Sequence, residues 1–216
     1  MSRFKAIGWF ADLSEKEQME VEKMGVFRDY SARELLFLQG KRLSHYYFVL
    51  DGLVSTYHQN EQGKKWVASF FSNGDFFPHV GLATEGGIYP ASAEIVTDTT
   101  LFLLPAAQAQ KLFASVPQLQ TQLTQFLFKK SQELMTRFSA SLFDGASEQL
   151  LAFLQNIAMK IGQQQTDGSI LFHLPMKERD LADYIGLAPE TISRAFRQLC
   201  EAGLVEKLPE KNLLIK

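Results

Sequence analysis

Four glycines recur at a nearly constant interval: Gly40, Gly52, Gly63 and Gly74 fall 12, 11 and 11 residues apart. Between them lie runs rich in β-branched and aromatic residues: Tyr46-Tyr47-Phe48-Val49-Leu50, Leu53-Val54-Ser55-Thr56-Tyr57 and Trp66-Val67-Ala68-Ser69-Phe70-Phe71. Turn signals at that rhythm confine each run to a short strand. They predict an antiparallel sandwich or barrel rather than βαβ units. Glu94 to Leu104 supplies at least one more strand, which Pro105 ends. Ahead of the strands, Leu13 to Phe27 reads as a helix, capped by Asp12 or Ser14 with Glu17 as the capping-box partner. The chain carries 18 phenylalanines, enough to supply much of a core.

At Pro117 the period changes. Leu119, Leu123, Leu127, Leu134, Phe138 and Leu142 lie on neighbouring rows of one helix face, which Lys130 and Ser131 interrupt. A helix of about 25 residues would run roughly 37 Å at 1.5 Å per residue. That exceeds what a small sandwich covers, so pairing with a second copy is expected; packing on its own sandwich is the alternative. Phe143-Asp144-Gly145 reads as a hinge. Ser147 is expected to cap a further helix to about Ile161, followed by a polar loop from Gly162 to Ser169 and a short strand from Ile170 to Leu174. The expected division is a β-domain over 1–116, a dimerisation helix and hinge over 117–144, and a third domain over 145–216.

The segment from Lys177 to Lys216 is the most informative about function. A helix over Glu178 to Ile185 buries Leu181, Ala182 and Ile185; Gly186 makes a tight turn needing positive φ; Pro189 opens a second helix, which Gly203 closes. Helix, short glycine turn and helix is the helix-turn-helix pattern. In the second helix Ile192, Ala195, Phe196 and Leu199 share a core face, while Glu190, Ser193, Arg194 and Arg197 share the opposite one. Arg194 can bond bidentately to guanine and Glu190 can accept from cytosine. Thr191 and Arg197 can hold phosphates, aided by the helix N-terminus. The bland alternative is a solvated face with an Arg–Glu pair one turn apart. Leu204 to Leu208 and Leu213 to Ile215, around Pro209 to Asn212, read as a β-hairpin, the wing of a winged helix.

Composition narrows the field. The net charge is −2, and from Gly145 to Lys216 eight Lys/Arg stand against nine Asp/Glu, so no broad basic footprint supports DNA binding. Cys200 is the single cysteine, which excludes an intramolecular disulfide and a cysteine-ligated iron–sulfur cluster within one chain. No signal peptide and no spanning segment is evident, which predicts a cytoplasmic protein. The histidines His45, His58, His79 and His173 are never closer than 13 residues, against a cupin-like metal enzyme. No phosphate loop or nucleophile elbow appears either, so no catalytic residue is expected. A winged-helix protein–protein adaptor remains the non-enzymatic rival.

Nearly the whole chain resembles the CRP/FNR family of bacterial transcription regulators. The resemblance rests on Gly186-Leu187-Ala188-Pro189-Glu190-Thr191-Ile192-Ser193-Arg194, and on the glycine-punctuated β-region with Asn73-Gly74-Asp75-Phe76 ahead of a long helix ending at Phe143-Asp144. It implies an α+β fold: an N-terminal cyclic-nucleotide-binding-like antiparallel β jelly roll, a long dimerisation helix and a C-terminal winged helix-turn-helix. It implies a homodimer on double-stranded DNA with an inverted repeat of TTGA-like half-sites, read by Glu190, Ser193 and Arg194, with RNA polymerase as partner if it activates. The notable DNA-contact set is Glu190, Thr191, Ser193, Arg194, Arg197 and Lys177. The family's phosphate cassette of Gly-Glu and Arg-Ser aligns with Pro78-His79 and Tyr89-Pro90, so cAMP binding is not expected. No cofactor is expected; haem, which some relatives bind through His or Cys, with His79 close to where such a ligand can lie, is the lesser alternative. The favoured expectation is an unidentified small-molecule effector in a pocket around Phe77, Pro78, His79, Tyr89 and Pro90.

Overall fold

The computed structural model describes residues 4, 7–63, 65–79, 82 and 87–216. The chain divides into two compact units, Met1–His58 with Ala68–Gln132, and Gln59–Val67 with Glu133–Lys216.

A 3-10 turn at Gly8–Phe10 precedes α1 (Glu15–Met24). Ser14 caps α1 in a full capping box: Ser14 N donates to Glu17 Oε2 at 2.9 Å, and Glu17 N to Ser14 Oγ at 3.4 Å. The helix is shorter than its sequence pattern. Gly25 turns extended, at a place where a Cβ would run into the Phe102 ring and the Leu103 carbonyl, and Phe27 joins a strand instead.

The strands are β1 (Val26–Tyr30), β2 (Leu35–Phe37), β3 (His45–Asp51), β4 (Val54–Gln59), β5 (Lys65–Phe71), β6 (Phe76–Phe77), β7 (Ser92–Ile95) and β8 (Thr99–Pro105). They form two four-stranded sheets of order β1-β8-β3-β6 and β2-β7-β4-β5. All the pairings with a resolved register are antiparallel, with Phe48 opposite Phe102 and Tyr46 opposite Leu104. The jelly-roll expectation holds. The glycine rhythm is its cause: Gly40, Gly52, Gly63 and Gly74 have φ of +78, +93, +80 and +86°. The core is aromatic, with Phe10 tilted against Phe48 at 5.0 Å and Trp9 edge-on to Phe76 at 4.5 Å.

Two helices follow β8. The first, α2 (Ala106–Ser115), is absent from the sequence reading; it starts directly after Pro105 and buries only Ala109 and Phe113, too sparse a stripe to stand out. The second, α3 (Pro117–Phe143), is the expected long helix. Its inward row runs through Leu119, Leu123, Phe126, Lys130, Glu133 and Arg137, all buried or half-buried. Its outward row is apolar: Phe128, Leu134, Met135, Phe138, Leu142 and Phe143 are 57–81% exposed. Three charged residues, Lys130, Glu133 and Arg137, are half-buried while a row of large hydrophobics faces solvent, which a helix serving only to cover its own domain would not need.

The second unit contains α4 (Ala146–Ile161), β9 (Gln163–Gln164), β10 (Ile170–His173), α5 (Glu178–Ile185), α6 (Pro189–Glu201), β11 (Val205–Lys207) and β12 (Asn212–Ile215). The break between α3 and α4 falls at Asp144-Gly145, inside the expected hinge. Gly145, not Ser147, is the N-cap of α4, because the Ser147 hydroxyl is spent on Gln198 Oε1 at 2.6 Å. Within the predicted loop, β9 pairs with β10, giving a small sheet of order β11-β12-β10-β9. The antiparallel β11–β12 hairpin is the expected wing, paired Val205 to Ile215.

Candidate nucleic-acid interface

The helix pair α5–α6 is set by local chemistry. Asp180 Oδ2 accepts from the Lys177 amide at 2.9 Å and ties down the start of α5. Gly186 closes that helix at φ +85°, ψ +21°, its amide donating to Ala182 O at 2.8 Å. A side chain there would occupy a strained left-handed conformation. Pro189 then occupies the first turn of α6, where its missing N–H costs nothing.

Ile192, Ala195, Phe196 and Leu199 are buried in contact with α4 and α5. Glu190, Ser193, Arg194 and Arg197 are exposed, and Thr191 is half-exposed. Among the described residues no side-chain hydrogen bond or ion pair joins Glu190 to Arg194, so their polar groups are not used up on each other. Lys177 is exposed one residue ahead of α5.

Two contacts missed in the sequence hold this surface together. Lys207 Nζ on the wing lies 3.1 Å from Glu178 Oε1 and 4.2 Å above the buried Phe196 ring, joining β11 to both helices. The Ser147–Gln198 bond fastens α6 to the first turn of α4. Neither residue pair has a periodic signature, because the partners are 29 and 51 positions apart.

The other expected site is differently built. Phe77 and Tyr89 join one aromatic cluster: Tyr89 stacks on Phe37 at 3.7 Å, and Phe77 on Tyr47 at 5.2 Å. The Tyr89 hydroxyl accepts from the Ser44 and His45 amides at 3.3 and 3.2 Å and lies 3.0 Å from Ser44 Oγ. Pro78 is buried and Pro90 exposed. His79 packs elsewhere, between Phe71 and Phe126, with ring centroids 6.2 and 6.0 Å away. Its Nδ1 is enclosed without a hydrogen-bond partner. Burial, and then the Lys130 ammonium, hold this imidazole below its usual range, against an opposing pull from Asp75. Among the described residues no group of three or more His, Cys, Asp or Glu side chains is placed to hold a metal ion, and no helix is long and apolar enough to cross a membrane.

Residues 27–116 match the cyclic nucleotide-binding domain, and residues 148–216 match the Crp-like helix-turn-helix domain. The chain is 28% identical over 176 residues to the transcriptional activator protein FnrA of Stutzerimonas stutzeri, covering 80% of this chain and 70% of that one. It is 27% identical over 189 residues to the transcriptional activator protein anr of Pseudomonas aeruginosa, covering 86% and 74%. Among solved structures it superposes on FixK2 from Bradyrhizobium japonicum with a TM-score of 0.74, at 23% identity over 89% of this chain and 92% of that one. Fold and surface define a winged-helix DNA-binding protein with a cyclic-nucleotide-binding-like β-domain, a transcription regulator and not an enzyme. The chain belongs to the CRP/FNR family.

The matched domain raises the question of a cyclic nucleotide. Holding one requires a carboxylate for the ribose and a cation for the phosphate. Pro78-His79 and Tyr89-Pro90 offer neither, and the Tyr89 hydroxyl is already engaged. The residues present at these positions do not fit that ligand.

Proposed function

We propose that this regulator binds an inverted repeat of TTGA-like half-sites as a homodimer. The observation that carries this reading is the exposed Glu190, Ser193, Arg194 and Arg197 face of α6, backed by a fully buried apolar face. In the major groove Arg194 donates to guanine O6 and N7, and Glu190 accepts from cytosine N4. Thr191, Arg197 and Lys177 hold phosphates, and Ser193 completes base contact. Pairing of two copies runs through the outward apolar row of α3, whose exposure as a monomer would be costly. Two recognition helices then fall about one helical turn of DNA apart.

The effector acts around Phe77, Pro78, His79, Tyr89 and Pro90. In support, His79 of that group packs on Phe126 of α3. An uncharged or weakly polar small molecule suits this aromatic environment better than a phosphate. The test is binding-site selection from random DNA together with sedimentation of the free protein. Recovery of a spaced repeat by a dimer supports the reading. A monomer with no sequence preference, even in cell extract, contradicts it and favours a protein–protein adaptor.

A further inference from the structure

Lys130 breaks the apolar pattern of α3, and the structure shows where its charge goes. Nζ lies 3.8 Å from Asp75 Oδ1, with the two side chains only 9% and 14% exposed. The same ammonium stands 5.3 Å from the Phe71 ring centroid and 5.4 Å from that of Phe126. Replacing such a sequestered pair by apolar side chains is often neutral or stabilising, so stability does not account for it.

Asp75 is immobilised from its other side. Ser72 N donates to Asp75 Oδ2 at 3.0 Å and Asp75 N to Ser72 O at 2.9 Å. The Asp75 carbonyl accepts from Val49 N of β3 at 2.9 Å, and the Gly74 carbonyl accepts from Trp9 Nε1 at 3.0 Å. The turn from Ser72 to Asp75 is thus fixed to β3 and to the N-terminal 3-10 turn, and the Asp75 carboxylate also faces Lys130 of α3. Two residues further on comes Phe77, one of the residues proposed around the effector.

We infer that Asp75 and Lys130 are a positioning pair, which sets the rotation of α3 on the β-domain and so the direction of its outward apolar row. This inference rests on the dimeric DNA-binding reading above. An apolar contact tolerates sliding, whereas a sequestered charge must stay near its counter-charge. Turning α3 by one residue, about 100°, would carry Lys130 away from Asp75. A shift in the turn ahead of Phe77 therefore reaches the dimer face through Lys130.

The test uses the full chain with Lys130→Met, Asp75→Asn, their double variant and Lys130→Arg. Asparagine keeps an oxygen for Ser72 N, so the turn survives. Dimer fraction, affinity for the selected repeat and thermal midpoint are measured together. Lys130→Met and Asp75→Asn are each expected to bind the repeat at least about tenfold more weakly, with the midpoint lowered in each single variant because one sequestered group loses its partner, and restored in the double variant while binding stays weak. The double variant should be no weaker than either single one, and Lys130→Arg should stay close to wild type. Wild-type affinity in Lys130→Met, or losses that multiply in the double variant, would overturn the inference. If Lys130→Met does not fold, equal losses in Asp75→Asn and Lys130→Arg would do the same. A wild-type protein without repeat binding would instead sink the functional reading, and an unchanged dimer fraction in Lys130→Met would then sink the pair as well.

Discussion

Helix α6 and the aromatic cluster around Tyr89 treat their polar groups in opposite ways. On α6 the groups that define the surface, Glu190, Ser193, Arg194 and Arg197, are exposed. In the aromatic cluster Tyr89 is buried and its hydroxyl is bonded within the domain. A surface that recognises a polyanion keeps donors in reserve, whereas a buried aromatic cluster spends its polar groups on its own fold. Substitutions on α6 should therefore change binding without changing stability, and substitutions around Tyr89 should do the reverse first.

The helix between these regions offers the largest effect. Phe138→Glu places a charge in the outward row of α3. It should convert the dimer to a monomer in sedimentation experiments and weaken repeat binding by roughly 10²–10⁴, the gain expected from linking two half-site contacts. A dimer that persists would move the interface elsewhere. Next comes Tyr89→Ala, which deletes a ring stacked on Phe37. It should destabilise the β-domain by about 3–5 kcal/mol in urea titration, in the range of large-to-small aromatic replacements. Tyr89→Phe isolates the hydroxyl and should cost only about 1 kcal/mol. If Tyr89→Ala were instead neutral, the ring would lie in a pocket with room to spare.

Lys177→Ala should lower the slope of log affinity against log salt by about 1, uniformly across sequences, as loss of a phosphate contact does. The smallest expected effect concerns His79. Its folded-state value is held below the ordinary 6.5. Above that pH both states carry a neutral ring and stability is unaffected. As pH falls below 6.5 the unfolded chain takes up the proton first, so stability declines toward the folded value and then levels off. Chemical denaturation at pH 7.5 and 5.5 should show this decline in wild type and a smaller one in His79→Gln. Identical pH dependence in both would remove His79 from the account.

Much of this molecule was legible in its sequence, for identifiable reasons. Turn glycines announce themselves because positive φ is costly for other residues, and Gly186 marked the helix-turn-helix in the same way. The faces of α6 followed from helical period alone. What stayed hidden depends on distant partners. Nothing near Lys207 points to Glu178 and Phe196, and nothing near Ser147 points to Gln198. Lys130 looked like a flaw in an apolar stripe. The structure shows two rows on α3, an inward one ending in charge and an outward one of exposed hydrophobics, and pooling them into a single face concealed both. The sequence also showed what the β-domain lacks, a carboxylate and a cation at Pro78-His79 and Tyr89-Pro90, but not that Phe37 and Ser44 would close around Tyr89.

The most direct test of the central claim is selection of binding sites from random DNA at one fixed salt concentration, with wild type and Arg194→Ala in parallel. The account predicts that wild type enriches a spaced inverted repeat. It predicts that Arg194→Ala, folded to the same midpoint, loses the guanine preference at one position of each half-site, a discrimination of about 1–3 kcal/mol. Retention of that preference by Arg194→Ala, or enrichment of unpaired and unrelated sequences by wild type, would contradict it.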